Sequence, residues 1–332
     1  MSTIKSDEVV VLFPSDARLE ANDWVATVHG WIFEPEANDL VRKIAVRSLM
    51  SGFDLAHTTL PTDLFEQRLR WFLVDNERRK RVVILVGERR FPLDASRANG
   101  HFSGTVRIPR DEAARLEQSG RLTYRAVVQD RDSREFRGEI LLIGNEGISV
   151  ISDIDDTIKV SEVHDKRKLL ENTFFKPFRA VDAMAPTYRR WSEQGAQFHY
   201  LSNGPWQLYD ALSSFLRDVP YPAGTVDLRE FRITDGNFLA FLLDNPMQAK
   251  LPRIERLLSR YPGRRFVLVG DSGEKDPETY ADVARRHPEQ VLRIMIRDVT
   301  NENRTAQRYL DTFGQVPEEK WLIFTQPAAL SL

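Results

Sequence analysis

The chain has 332 residues, with 47 Lys and Arg against 49 Asp and Glu and no cysteine. That length suits two domains, and 42% hydrophobic with 29% charged residues is the profile of folded globular protein rather than of disorder or a membrane bundle. The near-neutral balance argues against a polyanion held by bulk charge, so no nucleic-acid partner is expected, and the lack of cysteine excludes disulfides, a thiolate nucleophile and Cys-ligated zinc or iron–sulfur sites.

The N-terminus, Met1 to Glu8, carries mixed charges, and the apolar run Val9 to Phe13 is too short for a signal core. No stretch approaches the ~20 apolar residues of a membrane helix. The expected location is cytoplasmic, with any membrane contact peripheral. Up to residue 145 the chain reads as short extended runs rich in β-branched and aromatic residues. These are Trp24 to Phe33, Arg81 to Val86, Phe102 to Ile108, Leu122 to Val128 and Phe136 to Ile143. Helical patterns near Leu40 to Leu49 and from Thr62 to about Phe72 interrupt them, and Gly52, Asn99-Gly100, Gly120 and Gly144-Asn145 punctuate them. A β-rich accessory domain over residues 1–145 is the expectation.

From residue 146 to 332 the pattern changes. Short apolar runs at Ile148 to Ser152, Phe198 to Ser202, Thr225 to Leu228, Phe266 to Gly270 and Leu292 to Ile296 alternate with amphipathic segments. The segments include Ala183 to Gln194, Trp206 to Leu216, Leu251 to Arg260 and Pro277 to His287. Strand alternating with helix predicts a parallel α/β sheet covered on both faces, with its reactive residues just past the carboxyl ends of the strands.

Those ends carry acid. The first strand runs into Asp153-Ile154-Asp155-Asp156-Thr157, and crowded carboxylates repel strongly in a partly desolvated site unless a cation neutralises them. On this segment alone an acidic turn capping a helix explains the residues equally well. The fourth strand tips the balance, because Gly270 leads into Asp271-Ser272-Gly273-Glu274-Lys275-Asp276, a second acidic cluster at a strand end. Two such clusters on one sheet can converge on one hard ion, with Mg²⁺ favoured by oxygen-only ligands. Ser202-Asn203-Gly204 offers a hydroxyl and backbone N–H groups for a phosphate, and Lys250 opens a helix that points at the same end of the sheet. By themselves Ser202 reads as a helix cap and Lys250 as a solvated surface residue.

Taken in order, Asp153-x-Asp155-x-Thr157, Ser202, Lys250 and Gly270-Asp271-xxxx-Asp276 resemble the four motifs of the haloacid-dehalogenase-like (HAD) phosphohydrolases, at spacings of 49, 97 and 118 residues from Asp153. More narrowly, SDIDDTIK, ENTFFKPF, YLSNGPWQLY and LVGDSGEKDPETY are similar to the catalytic domain of actin-patch-type phosphatidate phosphatases, relatives of the lipin phosphatases. The likeness spans Ile148 to about Asp298. It implies an HAD-like parallel sheet and the following chemistry. Asp153 is the nucleophile that forms an aspartyl-phosphate, and Asp155 the general acid and then base. Mg²⁺ lies between Asp153, the Asp155 carbonyl and Asp271, with Asp276 as a further or water-mediated ligand. Ser202 and Asn203 bind the phosphoryl group, and Lys250 neutralises it. Thr157 orients the loop, and Asp156 is a loop residue outside the reacting set.

Only about fifty residues separate Thr157 from Ser202 and Ser202 from Lys250, too few for a large enclosing cap. An open site suits a bulky or membrane-borne substrate, so phosphatidate is preferred, cleaved to diacylglycerol and phosphate. Another phosphomonoester (a phosphoprotein, lysophosphatidate or a soluble metabolite) is the alternative, as is a catalytically inactive phospholipid-binding module. Phe174, Phe175, Phe178, Trp206, Tyr209, Phe238 and Phe241 are candidates to line the entrance, although most such residues are core. The basic run Arg78 to Arg81 adds little to a membrane reading.

Overall fold

The computed structural model describes residues 2–35, 62–231 and 247–332. The helix expected near Leu40 to Leu49, the turn at Gly52, and Phe238 and Phe241 lie outside the described residues. The described chain forms two compact units. Residues 2–35 and 70–145 make one, and residues 62–69 and 146–332 the other.

In the first unit, strands β1 (Val9–Leu12), β2 (Ser15–Glu20) and β3 (Asp23–Glu34) are followed by β4 (Asp75–Asn76), β5 (Val83–Val86), β6 (Arg89–Pro92) and β7 (His101–Pro109). Two further strands, β8 (Arg121–Ala126) and β9 (Arg137–Ile143), complete the sheet. The twelve-residue β3 carries it, pairing antiparallel with β1, β2, β4 and β7, while β2 runs parallel to β9. Alternation along these strands sends Val28, Ile32, Ile84, Val106, Ile108, Leu122 and Ile140 into one apolar core. The β-rich reading of this region therefore agrees with the described residues. Strands β1, β2, β4 and β6 are additional to the runs expected from sequence; the last three are short and rich in polar residues, which gives little signal.

Helix α1 (Thr62–Leu69), which the sequence places in the N-terminal region, packs in the second unit against a π-helical turn at Glu171–Phe175. The stacked rings of Phe65 and Phe175, 4.7 Å apart, make the contact.

The second unit holds a six-stranded sheet. Its strands are β10 (Gly147–Asp153), β11 (Gln197–Pro205), β12 (Gly224–Arg229), β13 (Arg264–Asp271), β14 (Val291–Arg297) and β15 (Trp321–Phe324). All pairings are parallel, in the order β12-β11-β10-β13-β14-β15. This is a doubly wound sheet. The first strand in sequence lies in the middle, and successive strands are added outward on one side and then on the other. Right-handed crossovers then put helices on opposite faces. Residues 149–153 and 266–271 are continuously buried, as strands covered on both faces require. The five strands expected in this region are all present, and β15 is an extra edge strand. The crevice outside the carboxyl ends of β10, β11 and β13 is the switch point of the sheet, and every acidic cluster noted above opens there.

Candidate active site

Asp153 is the last residue of β10 and is almost completely buried. Lys250 lies in the first turns of the helix Met247–Arg260, and its ammonium meets the end of β10 and the loop after β13. It donates to Asp153 Oδ1 at 2.7 Å, Glu274 Oε2 at 2.8 Å and Asp276 Oδ1 at 2.5 Å. A lysine predicted from its position at a helix start thus lies among three buried carboxylates. Burial works against its charge, but Asp153, Asp276 and Glu274 outweigh burial and hold its pKa well above the usual lysine value.

The loop after β13 is built for close approach. Asp271 Oδ1 accepts from the N–H groups of Gly273 at 2.7 Å and Glu274 at 3.1 Å, folding the turn onto its own carboxylate. Asp276 opens the helix Asp276–Arg286, and its Oδ2 accepts from the Asp271 N–H at 3.3 Å. A Cβ at position 270 would stand 2.2 Å from Asp276 Oδ2, so only glycine fits there. The guanidinium of Arg308 ties the same loop from outside, donating to the Ser272 and Glu274 carbonyls at 2.6 and 2.8 Å.

Asp155 is set apart from that cluster. Its Oδ1 takes the Ser161 hydroxyl and the Lys159 ammonium, each at 2.7 Å, and its Oδ2 takes the Ser202 hydroxyl at 2.8 Å. Burial raises its pKa, but Lys159 and the two hydroxyls win and keep it below the ordinary aspartate value. Asp153 behaves in the opposite way. Burial first, then the charges of Asp276, Glu274 and Asp155, push it well above the usual range against the pull of Lys250. Asp271 is raised for the same reasons, with Asp153 among the repelling groups.

Asp156 takes no part in this cluster. It adopts a left-handed backbone conformation, φ 55°, which aspartate tolerates. Its carboxylate accepts from the N–H groups of Ser161, Glu162 and Val163 at 2.7–2.8 Å, so it shapes the loop. Thr157 is fully buried and its hydroxyl has no partner, so no hydrogen bond from that hydroxyl orients the loop. Asn203 accepts from Arg253, whose guanidinium also holds the Ser202 carbonyl at 2.9 Å. Lys159, Ser161, Arg253 and Glu274 are neighbours of the site that sequence reasoning did not assign. Glu274 was visible inside the acidic cluster, and Lys159 two residues past Thr157. The other two carry no signal without the fold.

The cluster has room for a cation in its chemistry. Five carboxylates (Asp153, Asp155, Asp271, Glu274 and Asp276) face two ammonium groups, leaving three negative charges uncompensated if all are ionised. Asp153 Oδ2 and Asp271 Oδ2 are buried with no hydrogen-bond partner. An orphaned buried carboxylate oxygen is costly, and two of them at the ends of adjacent parallel strands fit a hard cation. Asp153, Glu274 and Asp276 also bring ligand atoms within 4.8 Å of one another, but Lys250 already fills that triangle. Both Asp276 oxygens are committed to Lys250 and the Asp271 N–H.

The first strand of the sheet thus ends in buried Asp153, and Lys250 and the loop after β13 converge on it. Residues 148–298 match the family model described as phosphatidate phosphatase APP1, catalytic domain. The resemblance read from SDIDDTIK and its companion segments is the one this comparison finds. The APP1 of Saccharomyces cerevisiae, named a phosphatidate phosphatase, is 34% identical over 159 residues, 47% of this chain and 26% of the yeast protein. An uncharacterized Schizosaccharomyces pombe protein is 32% identical over 179 residues, 52% of this chain and 29% of its own length. The chain therefore spans under a third of these relatives. Among solved structures, an apo phosphoserine phosphatase overlays with a TM-score of 0.31 at 12% identity, covering 45% of this chain and 85% of that one.

Of the aromatic residues considered for the entrance, Phe174, Phe175 and Trp206 are core and Tyr209 is half-buried. Phe178 lines a cavity next to Asp155 and Ser202. Among the described residues no helix is long and apolar enough to cross a membrane.

Proposed function

We propose that this chain is a Mg²⁺-dependent phosphatidate phosphatase, with residues 146–332 as the catalytic domain and residues 1–145 as an accessory domain. The observation that carries the reading is the pairing of buried Asp153 with Lys250 beside a second, separately held carboxylate, Asp155, in a segment matching the APP1 catalytic family. Asp153 Oδ1, held by Lys250, attacks phosphorus, and the bond to the glycerol oxygen breaks as Asp155 gives that oxygen a proton. A water then attacks the aspartyl-phosphate, returning a proton to Asp155 and releasing phosphate. Asp155 is a carboxylate at rest, so it must gain a proton first. Arrival of an anionic phosphoryl group, and transfer of the Ser202 hydroxyl from Asp155 to that group, both raise its proton affinity. Lys250 offsets charge on Asp153 and the phosphoryl oxygens, while Arg253 keeps Asn203 and the Ser202 loop in place for binding.

Mg²⁺ held by Asp153 Oδ2, Asp271 Oδ2 and the Asp155 carbonyl, with Asp276 in support, would supply the charge neutralisation this oxygen set lacks. The expected location is cytoplasmic, with peripheral contact at the membrane that holds the lipid.

The test is phosphate release with Mg²⁺ or with EDTA, measured on phosphatidate, lysophosphatidate, a phosphopeptide, p-nitrophenyl phosphate and sugar phosphates. Preferred, Mg²⁺-dependent turnover of phosphatidate is expected. Turnover of soluble phosphates alone would remove the lipid assignment. No turnover, with sedimentation on phosphatidate vesicles, would mean a binding module.

A further inference from the structure

Beside the reacting carboxylates lies a cavity of about 150 Å³, lined from two sides. Asp155, Lys159, Ser202, Asn203 and Glu274 form one side, at the ends of β10, β11 and β13. Leu169, Leu170, Phe178, Leu208 and Leu212 form the other, from the helical segments that follow β10 and β11. On the charged side the polar groups are already engaged. Asp155 holds Lys159, Ser161 and Ser202, Asn203 holds Arg253, and Glu274 holds Lys250. The hydroxyls of a sugar reaching the second side would give up water and meet leucine and phenylalanine side chains, which offer no hydrogen bond in return. Hydrocarbon loses nothing there and gains burial.

The apolar wall is also fixed in advance. The Arg68 guanidinium stacks 3.9 Å over the Phe178 ring and donates to the carbonyls of Thr173 at 2.6 Å and Lys176 at 2.9 Å. Leu170 and Leu212 are almost fully buried. A preformed pocket keeps its affinity, because little ordering remains to be done on binding.

We propose that this cavity receives the glycerol-proximal carbons of one fatty acyl chain of the substrate, making Leu169, Phe178 and Leu212 specificity-determining residues. The inference rests on the phosphatidate reading above and adds where the lipid is recognised. A cavity of ~150 Å³ takes a group about the size of benzene, so it grips a short stretch of chain and leaves the remainder outside. Selection is therefore made next to the phosphoryl group and does not depend on chain length.

The experiment uses the full chain and monomeric dioctanoyl phosphatidate, which separates the pocket from membrane binding. Leu212→Asn and, at a less buried position, Leu169→Asn are compared with the wild type. Each asparagine variant should lose about tenfold in kcat/KM for dioctanoyl phosphatidate. Competitive inhibition by inorganic phosphate should be unchanged. Should Leu212→Asn fail to fold, Leu169→Asn decides. Undiminished phosphatidate turnover in Leu169→Asn, or equal loss of phosphate inhibition in that variant, overturns the proposal. So does a wild type that cleaves glycerol 3-phosphate as well as dioctanoyl phosphatidate, an outcome that leaves the phosphatase chemistry standing. A wild type that cleaves no phosphomonoester removes the functional reading and this inference together.

Discussion

In the N-terminal sheet unit most ionisable side chains stand in water, and the buried carboxylate of Glu8 is matched by a single partly buried lysine, Lys80. Arg115 and Asp111 pair with about seven-tenths of each side chain exposed, and Arg121 pairs with Glu139 with 37% and 49% exposed. Its buried histidine, His101, stacks on Trp31, and burial lowers its pKa to about 3, so it stays neutral. At the ends of β10 and β13 the opposite holds, and Asp153, Lys250, Asp271, Glu274 and Asp276 are all buried while ionisable. Exposed pairs add little to stability and are replaceable, whereas buried charge is retained only where something else requires it. Two units of one near-neutral chain thus differ in where charge is tolerated, and that difference marks the site.

The comparison breaks most visibly at Lys250. Lys250→Met leaves three buried carboxylates without their cation, so unfolding free energy should fall by about 3–5 kcal/mol and phosphate release should be lost. Chemical denaturation and a phosphate assay read both. Gly270→Ala drives a methyl into Asp276, and a cost of about 1–3 kcal/mol with reduced turnover is expected in the same two measurements.

A subtler effect belongs to Lys159. Asp155 has a lowered folded-state pKa, so its contribution to stability is present above the unfolded value of ~3.9 and disappears as pH falls through the folded one. Lys159→Met removes the main cause. The gap in melting temperature between wild type and variant should be widest above about pH 5 and close below about pH 4. Melting curves across that range test the sign. Smallest of all, Arg115→Ala should change neither melting temperature nor turnover, because its partner is exposed.

Much of this was legible from sequence, for definite reasons. The parallel sheet announces itself through continuously apolar runs such as residues 266–270, because strands buried on both faces need no polar alternation. The acidic residues at 153, 155, 271 and 276 are visible because they follow such runs directly. Glu274 lay in the same segment, but only the fold shows it holding Lys250. Arg253, Arg308 and Ser161 act through backbone carbonyls or neighbours brought in from distant segments, which no local pattern encodes. Helix α1 was expected from its residues, while its packing in the second unit is a long-range fact of tertiary structure.

The central claim is that Asp153 carries the phosphoryl transfer, and replacing one carboxylate oxygen tests it. Phosphate release from dioctanoyl phosphatidate in Mg²⁺ should fall by more than ~10³-fold in Asp153→Asn while the circular dichroism spectrum is unchanged. An Asp153→Asn protein that releases phosphate at the wild-type rate would contradict the account.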